Sequence, residues 1–121
     1  MRLADLQLSS REGAVIARVT GEIDMSNAAE LREAIADYTP NESLGVVLDL
    51  TSVDYVDSAG IQMLYRLGES LRRRGMALRI VIPPQSAASD ALRLAGVKHV
   101  DAVERVDDGV RELAMSTPTD P

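Results

Sequence analysis

The length, composition and charge of this chain already narrow the classes of protein to which it can belong. Its 121 residues suit one domain with an aliphatic core, since 45% are hydrophobic while Phe and Trp are absent. The absence of Cys excludes disulfides and thiolate chemistry. The net charge of −6 and the scarcity of aromatic residues disfavour direct nucleic-acid binding. The sequence shows neither a signal peptide nor an apolar run of about 18 residues, which predicts a cytoplasmic protein with no membrane partner.

Three strands are predicted in the first half of the chain. Leu6 and Leu8 alternate with polar neighbours, as in an edge strand, and residues 11–13 have the composition of a hairpin turn. A second strand then covers residues 14–19. The run over residues 45–50 is almost continuously aliphatic, which is typical of a central strand covered on both faces.

The first helix is predicted between the second and third strands. Asn27 followed by Glu30 fits a capping box at the start of this helix, and Pro40 with Asn41 closes it. Its apolar residues recur at helical spacing, so that they share one face, which we expect to be buried. These residues are Ala28, Leu31, Ile35 and Tyr38.

A second, longer helix follows the third strand, which we expect to end near Val56. Asp57 and Ser58 then occupy the N-cap and the first helical position, and Gly75 stops the helix. Residues 72–74 are three arginines, which we interpret as a solvated helix end whose charges complement the helix dipole. The expected inner stripe consists of Ile61, Leu64, Tyr65, Gly68 and Leu71.

The remaining elements complete an α/β pattern. A strand over residues 78–82 follows the long helix, which makes a βαβ unit with parallel strands. Further predicted elements are a short helix over 86–95, a strand over 99–103, a helix over 107–115 and a disordered tail over 116–121. The predicted fold is one α/β domain over residues 1–115, with a mixed four- to five-stranded sheet and about four helices.

Ser58 allows two interpretations. A carboxylate or hydroxyl at positions 57 and 58 can cap the unpaired N–H groups at a helix start, which is a structural role. Alternatively, Ser58 is a phosphoacceptor, because a phosphate would add roughly −1.5 to −2 charges that a helix N-terminus tolerates. The small residues Ala59 and Gly60 would leave its hydroxyl accessible to another protein. Spacing alone leaves both interpretations open.

Catalytic and metal-binding groups are not evident in the sequence. Four carboxylates near predicted strand ends are candidates for Mg²⁺ ligands, namely Asp24, Asp49, Asp54 and Asp57. The acidic pair and the late lysine of a phosphoaspartate site are missing, and His99 has no triad partners. Neither GxGxxG nor GxxxxGK[ST] occurs, which gives no support for nucleotide binding. We therefore expect no catalytic residue, no metal and no cofactor.

Three segments together carry a resemblance to a known family. They are VTGEIDMSNAAEL at 19–31, VVLDLTSVDYVDSAGIQML at 46–64 and LRLAGV at 92–97. In order and spacing these segments resemble a STAS domain of the anti-sigma factor antagonist family, over about residues 6–113. The resemblance implies a single STAS-like domain with a regulatory, non-enzymatic role.

The resemblance also implies a mechanism and a set of site residues. Such antagonists bind an anti-sigma factor, often a serine kinase, and so free a sigma factor. The kinase phosphorylates the serine of the D-S-x-G box, which abolishes binding, and a PP2C-type phosphatase restores it. By position, Ser58 would be the phosphorylated residue. The implied partner-binding residues are Asp24, Asn27, Asp57, Ser58, Ala59, Gly60 and Gln62.

The chain departs from the family pattern at three of these positions. Ala59 replaces a second hydroxyl that many members carry, Gln62 stands where a small residue is common, and Asn27 stands where Thr or Ser is common. The same resemblance includes two alternatives, a stressosome-type scaffold subunit, in which Ser58 is only a helix cap, and a STAS subunit of a lipid-transport system. The intact box favours a phosphorylation switch over lipid transport.

Overall fold

The computed structural model describes residues 4–86, 89–90, 92–93 and 101–115. The strands in these residues are β1 (Ala4–Arg11), β2 (Ala14–Ile23), β3 (Gly45–Val56), β4 (Ala77–Val81) and β5 (Asp101–Val103). The helices are α1 (Ala28–Tyr38), α2 (Ser58–Arg73) and α3 (Val106–Met115). No helix in this described part is long and apolar enough to cross a bilayer.

The strands form one mixed sheet in the order β1-β2-β3-β4-β5. The β1–β2 pair is antiparallel, and the other neighbours are parallel. The predicted hairpin turn is confirmed at Glu12 and Gly13, whose φ angles of 52° and 86° suit a two-residue turn of type I′. β2 continues four residues beyond its predicted end at position 19, because residues 20–23 pair with the second half of β3.

The helices cover both faces of the sheet. One face of β2, β3 and β4 packs against the buried sides of α1 and α2, and this layer forms the main core. The opposite face carries a smaller core in which Val47 and Val81 pack with residues of α3. Alternation of side chains along each strand explains this division, since neighbouring residues point to opposite faces. A central strand covered on both faces, as predicted for residues 45–50, is confirmed.

The buried faces of two helices differ from the predicted ones. Tyr38 of α1 is 43% exposed, because the next residue, Thr39, takes the buried position and donates its hydroxyl to the Ile35 carbonyl at 2.7 Å. The buried residues of α2 are Gly60, Met63, Leu64, Leu67 and Leu71. The predicted stripe is therefore displaced by about one residue, and three of its members are only half-buried, namely Ile61, Tyr65 and Gly68.

The three arginines at the C-terminal end of α2, residues 72–74, do not form the uniformly solvated end that the sequence predicts. Arg74 donates to the Ala36 carbonyl at 3.2 Å and also to the Thr39 carbonyl. Its guanidinium further donates to the Asn41 side chain at 2.9 Å. These contacts satisfy carbonyl groups at the end of α1 and join the C-termini of the two helices.

The C-terminal elements are only partly described. A helix start at Ser86 agrees with its prediction, since its hydroxyl accepts from the Ser89 N–H at 3.1 Å and its carbonyl from the Asp90 N–H at 3.0 Å. Residues 94–100, which include His99, and the predicted tail over 116–121 lie outside the described residues. Strand β4 and helix α3 each begin one residue earlier than predicted.

Candidate functional site

Two loops meet at the carboxyl end of the central strands. β2 and β3 are parallel neighbours, and Ile23 pairs with Val56 at their ends. The Asp57 N–H donates to the Ile23 carbonyl at 3.1 Å, which carries this pairing into the start of α2. The loop over 24–27 and the helix start over 57–60 therefore lie side by side. The carboxyl ends of parallel strands are where α/β folds commonly place their binding sites.

Asp57 joins these two segments with one carboxylate. It is the N-cap of α2, as predicted, and its Oδ1 accepts from the Gly60 N–H at 2.9 Å. Its Oδ2 accepts from the Met25 N–H in the neighbouring loop at 3.2 Å. An N-cap of this type stabilises a helix by about 1 kcal/mol. The same side chain thus caps α2 and fixes the position of the loop.

Ser58 is the first residue of α2 and is exposed. Its hydroxyl forms no hydrogen bond to any part of the chain that the structure describes. Because Asp57 supplies the cap, the Ser58 hydroxyl is not needed to satisfy the N–H groups of the helix. It stands in solvent beside Ala59, which is half-buried.

The loop between β2 and α1 is closed by its own polar side chains. The capping box predicted for Asn27 and Glu30 is wrong, because the Asn27 side chain makes no cap bond. Its Nδ2 instead donates to the Glu22 carbonyl at 2.9 Å, and its Oδ1 accepts from the Asp24 N–H at 3.1 Å. Asp24 Oδ1 accepts from the Ser26 N–H at 2.9 Å. Both polar atoms of the Asn27 side chain thus bond to backbone groups of residues 22 and 24 and not to the N–H groups of α1.

Gly60 seats the start of α2 on the strand ends. A Cβ atom at this position would lie 2.6 Å from Val56 Cγ1 and 3.0 Å from Ile23 Cγ2. Such distances are too short for ordinary contact between carbon atoms. A glycine here therefore allows the first turn of α2 to approach the ends of β2 and β3 closely, and it fixes which face of α2 is buried.

A shallow cleft runs between α1 and α2 beside Ser58, and we call it the helical cleft. Its lining residues are Met25, Ala28, Ala29, Arg32, Ala59, Gln62, Met63 and Arg66. Gln62, a predicted site residue, thus lies on its wall. Met25 is 82% exposed and is a site residue that the sequence did not suggest. The available signal was one large apolar residue within a polar loop.

The aspartates considered as Mg²⁺ ligands occupy separate environments. Asp49 is buried on β3, where its Oδ1 accepts from the Thr51 N–H at 3.0 Å and its Oδ2 lies 3.9 Å from Arg18 Nε. Asp54 is exposed on the same strand. Over residues 4–86, 89–90, 92–93 and 101–115, no three His, Asp or Glu side chains lie close enough to hold a metal ion together.

Comparison with known proteins identifies the family. Residues 5–112 match the model of the STAS domain. The chain belongs to the STAS-domain family. This STAS domain is 39% identical over 56 residues to an anti-sigma-B factor antagonist of Listeria monocytogenes, covering 46% of this chain and 49% of that protein. It is 30% identical over 64 residues to the anti-sigma-F factor antagonist RsfB of Mycobacterium tuberculosis, covering 53% of this chain and 52% of that protein. The matches thus span about half the length of these relatives.

Solved structures confirm the fold of this STAS domain. An anti-sigma factor antagonist from Mycobacterium paratuberculosis superposes with a TM-score of 0.80 at 23% identity, covering 92% of this chain and 94% of that one. The anti-sigma factor antagonist SpoIIAA in its unphosphorylated form superposes with a TM-score of 0.73 at 13% identity, covering 94% of this chain and 100% of that one. The predicted single STAS-like α/β domain is therefore confirmed.

Proposed function

We propose that this STAS domain is an anti-sigma factor antagonist, a non-enzymatic protein of the cytoplasm. It binds an anti-sigma factor of the serine-kinase type and so releases a sigma factor. The kinase phosphorylates Ser58, which abolishes binding, and a PP2C-type phosphatase restores it. In this proposal residues 1–115 form the STAS domain and residues 116–121 form a C-terminal tail. The names of the similar antagonists support the general function.

The observation that carries the switch is the exposed hydroxyl of Ser58, which is unbonded in the described part of the chain. Because the side chain points to solvent, a phosphate can be added there without disturbing the core. The phosphate brings roughly −1.5 to −2 charges, and N–H groups at the start of α2 accommodate them. Phosphorylation therefore changes the charge of the surface and leaves the fold intact.

The surroundings of Ser58 form the proposed binding surface. Asp24, Asn27 and Asp57 shape the paired loops through the hydrogen bonds described above. Ala59 and Gly60 have small side chains that leave the start of α2 accessible to a partner, and Gln62 extends the surface along α2. In this proposal the partner contacts the loop over 24–27 and the helix start over 57–60 together. A negative charge on Ser58 would therefore lie within the interface and weaken binding.

Binding of Ser58 variants to the anti-sigma factor kinases of the source organism tests this function. Each purified kinase, without its sigma factor, is titrated with wild-type protein, Ser58→Ala and Ser58→Asp. Ser58→Ala should bind like the wild type and resist phosphorylation. Ser58→Asp should fold normally and bind about tenfold or more weakly, because charge mismatched to an interface costs on the order of 1 kcal/mol or more.

Ser10→Asp is the matched control, since Ser10 is exposed on β1 near the opposite end of the sheet. It adds the same charge and should leave affinity unchanged. Equal binding by Ser58→Asp and the wild type would contradict the switch. Labelling of Ser58→Ala by the kinase and ATP would place the acceptor elsewhere. Assembly into large particles, with no affinity for any kinase, would favour the scaffold alternative.

A further inference from the structure

On the basis of the antagonist function, we propose that the helical cleft binds an acidic, partly apolar segment of the anti-sigma factor. Arg32 and Arg66 would pair with its carboxylates, and Met25 would insert into its apolar part. The proposal assigns a partner chemistry to a surface beside Ser58, and it gives phosphorylation a direct electrostatic route to release.

The charge at the cleft is the first support. Arg32 on α1 and Arg66 on α2 both line the cleft, and neither forms an ion pair within the described residues. Five other arginines in the described residues do form ion pairs, among them Arg79 with Glu112 at 2.8 Å. Two unpaired cations at one cleft repel each other, and an anion bound between them relieves that repulsion. In a chain of net charge −6, a local positive site of this kind is selective for acidic groups.

The apolar character of the cleft is the second support. Met63 is 3% and Ala28 5% exposed, so both contribute an apolar floor. Met25 at the rim is 82% exposed, the largest value among the exposed large hydrophobic residues of the described chain. Methionine is common at protein-binding surfaces because its flexible thioether adapts to irregular partners. An occupant with both acidic and apolar side chains satisfies the two features together.

The position of Ser58 links this cleft to the switch. Ala59 lines the cleft directly after Ser58. Gln62, also in the lining, lies four residues after Ser58 and so on the same face of α2. A phosphate on Ser58 would therefore place negative charge at one end of the cleft. That charge repels an acidic segment and competes with it for Arg32 and Arg66.

Charge reversal with matched controls tests the proposal. The probes are the purified anti-sigma factor kinases of the source organism, titrated by calorimetry at low and high NaCl. Arg32→Glu and Arg66→Glu should each weaken binding about tenfold. Arg73→Glu changes charge equally at the far end of α2, where Arg73 is exposed, and should stay within about twofold. Wild-type affinity should fall with salt more steeply than that of Arg66→Glu. Thermal melts establish that each variant is folded.

The outcomes separate this proposal from the antagonist function. If the wild type binds a kinase and Ser58→Asp weakens that binding, while both cleft variants bind normally, the cleft proposal is wrong and the antagonist function stands. If Arg73→Glu weakens binding as much as Arg66→Glu, net charge rather than the cleft governs affinity, which also overturns the proposal. If the wild type binds no anti-sigma factor, the antagonist function fails, and the cleft assignment fails with it.

Discussion

The contact of Gly60 with the strand ends leads to a quantitative prediction. Ala at this position would place its Cβ 2.6 Å from Val56 Cγ1, whereas Ala at Gly68 of the same helix would lie 3.7 Å from its nearest neighbour. The first distance requires displacement of side chains or of the helix start. The second is an ordinary van der Waals contact. Gly68→Ala is thus a matched control within one helix.

The expected magnitudes follow from two terms. Replacing Gly by Ala inside a helix raises the free energy of unfolding by up to about 1 kcal/mol, and this term is shared by both variants. Overpacking typically costs about 1–3 kcal/mol and applies only to Gly60→Ala. Gly60→Ala should therefore be less stable than Gly68→Ala by about 1–3 kcal/mol. For a domain of this size, each kcal/mol shifts Tm by roughly 4 °C.

Urea unfolding followed by far-UV circular dichroism measures this difference. The slope of the free energy against urea concentration should be equal in the two variants, so that the midpoints report stability directly. Gly68→Ala should match or exceed the wild type in stability, while Gly60→Ala should fall below it. A Gly60→Ala protein as stable as Gly68→Ala would refute the close approach of α2 to the strand ends.

Two other substitutions test contacts that hold the site and its helices. Asp57→Ala should lower the free energy of unfolding by about 1–2 kcal/mol, because the Met25 and Gly60 N–H groups lose their acceptor. Asp54→Ala is the control, since Asp54 is exposed, and it should change the free energy of unfolding by less than about 0.5 kcal/mol. Equal urea midpoints for these variants would contradict the capping role. Arg74→Ala should cost about 1–3 kcal/mol, because carbonyl groups at the end of α1 lose their donor. Arg73→Ala is its control, and equal thermal stability of the two variants would show that the Arg74 hydrogen bonds to the end of α1 do not stabilise the fold.

The start of α2 could be predicted from the sequence because its determinants are local. Asp57 follows the end of a strand and lies three residues before Gly60, whose N–H it accepts. The hairpin turn at Glu12 and Gly13 is local in the same sense, since the turn type depends on two adjacent backbone conformations. The order of strands and helices followed from hydrophobic periodicity, which a chain of this length displays clearly.

Other features depend on contacts between distant residues and could not be read from spacing. The buried face of α2 is set by the fit of Gly60 against Ile23, which lies on β2 and not on the strand that directly precedes α2. Asn27 prefers the Glu22 carbonyl to the helix N–H groups only because the loop folds back on itself. Arg74 finds its acceptors 35 and 38 residues earlier in the chain. In each case a tertiary partner outweighs the local preference.

Mass spectrometry of the protein from its native cells, both growing and stressed, shows whether Ser58 is phosphorylated in vivo. Intact mass gives the number of phosphates, and peptide fragmentation assigns each phosphate to a residue. We expect one phosphate, on Ser58, whose occupancy changes between the two conditions. A protein without phosphate in every condition, or with phosphate on Ser26 and none on Ser58, would contradict the proposed switch.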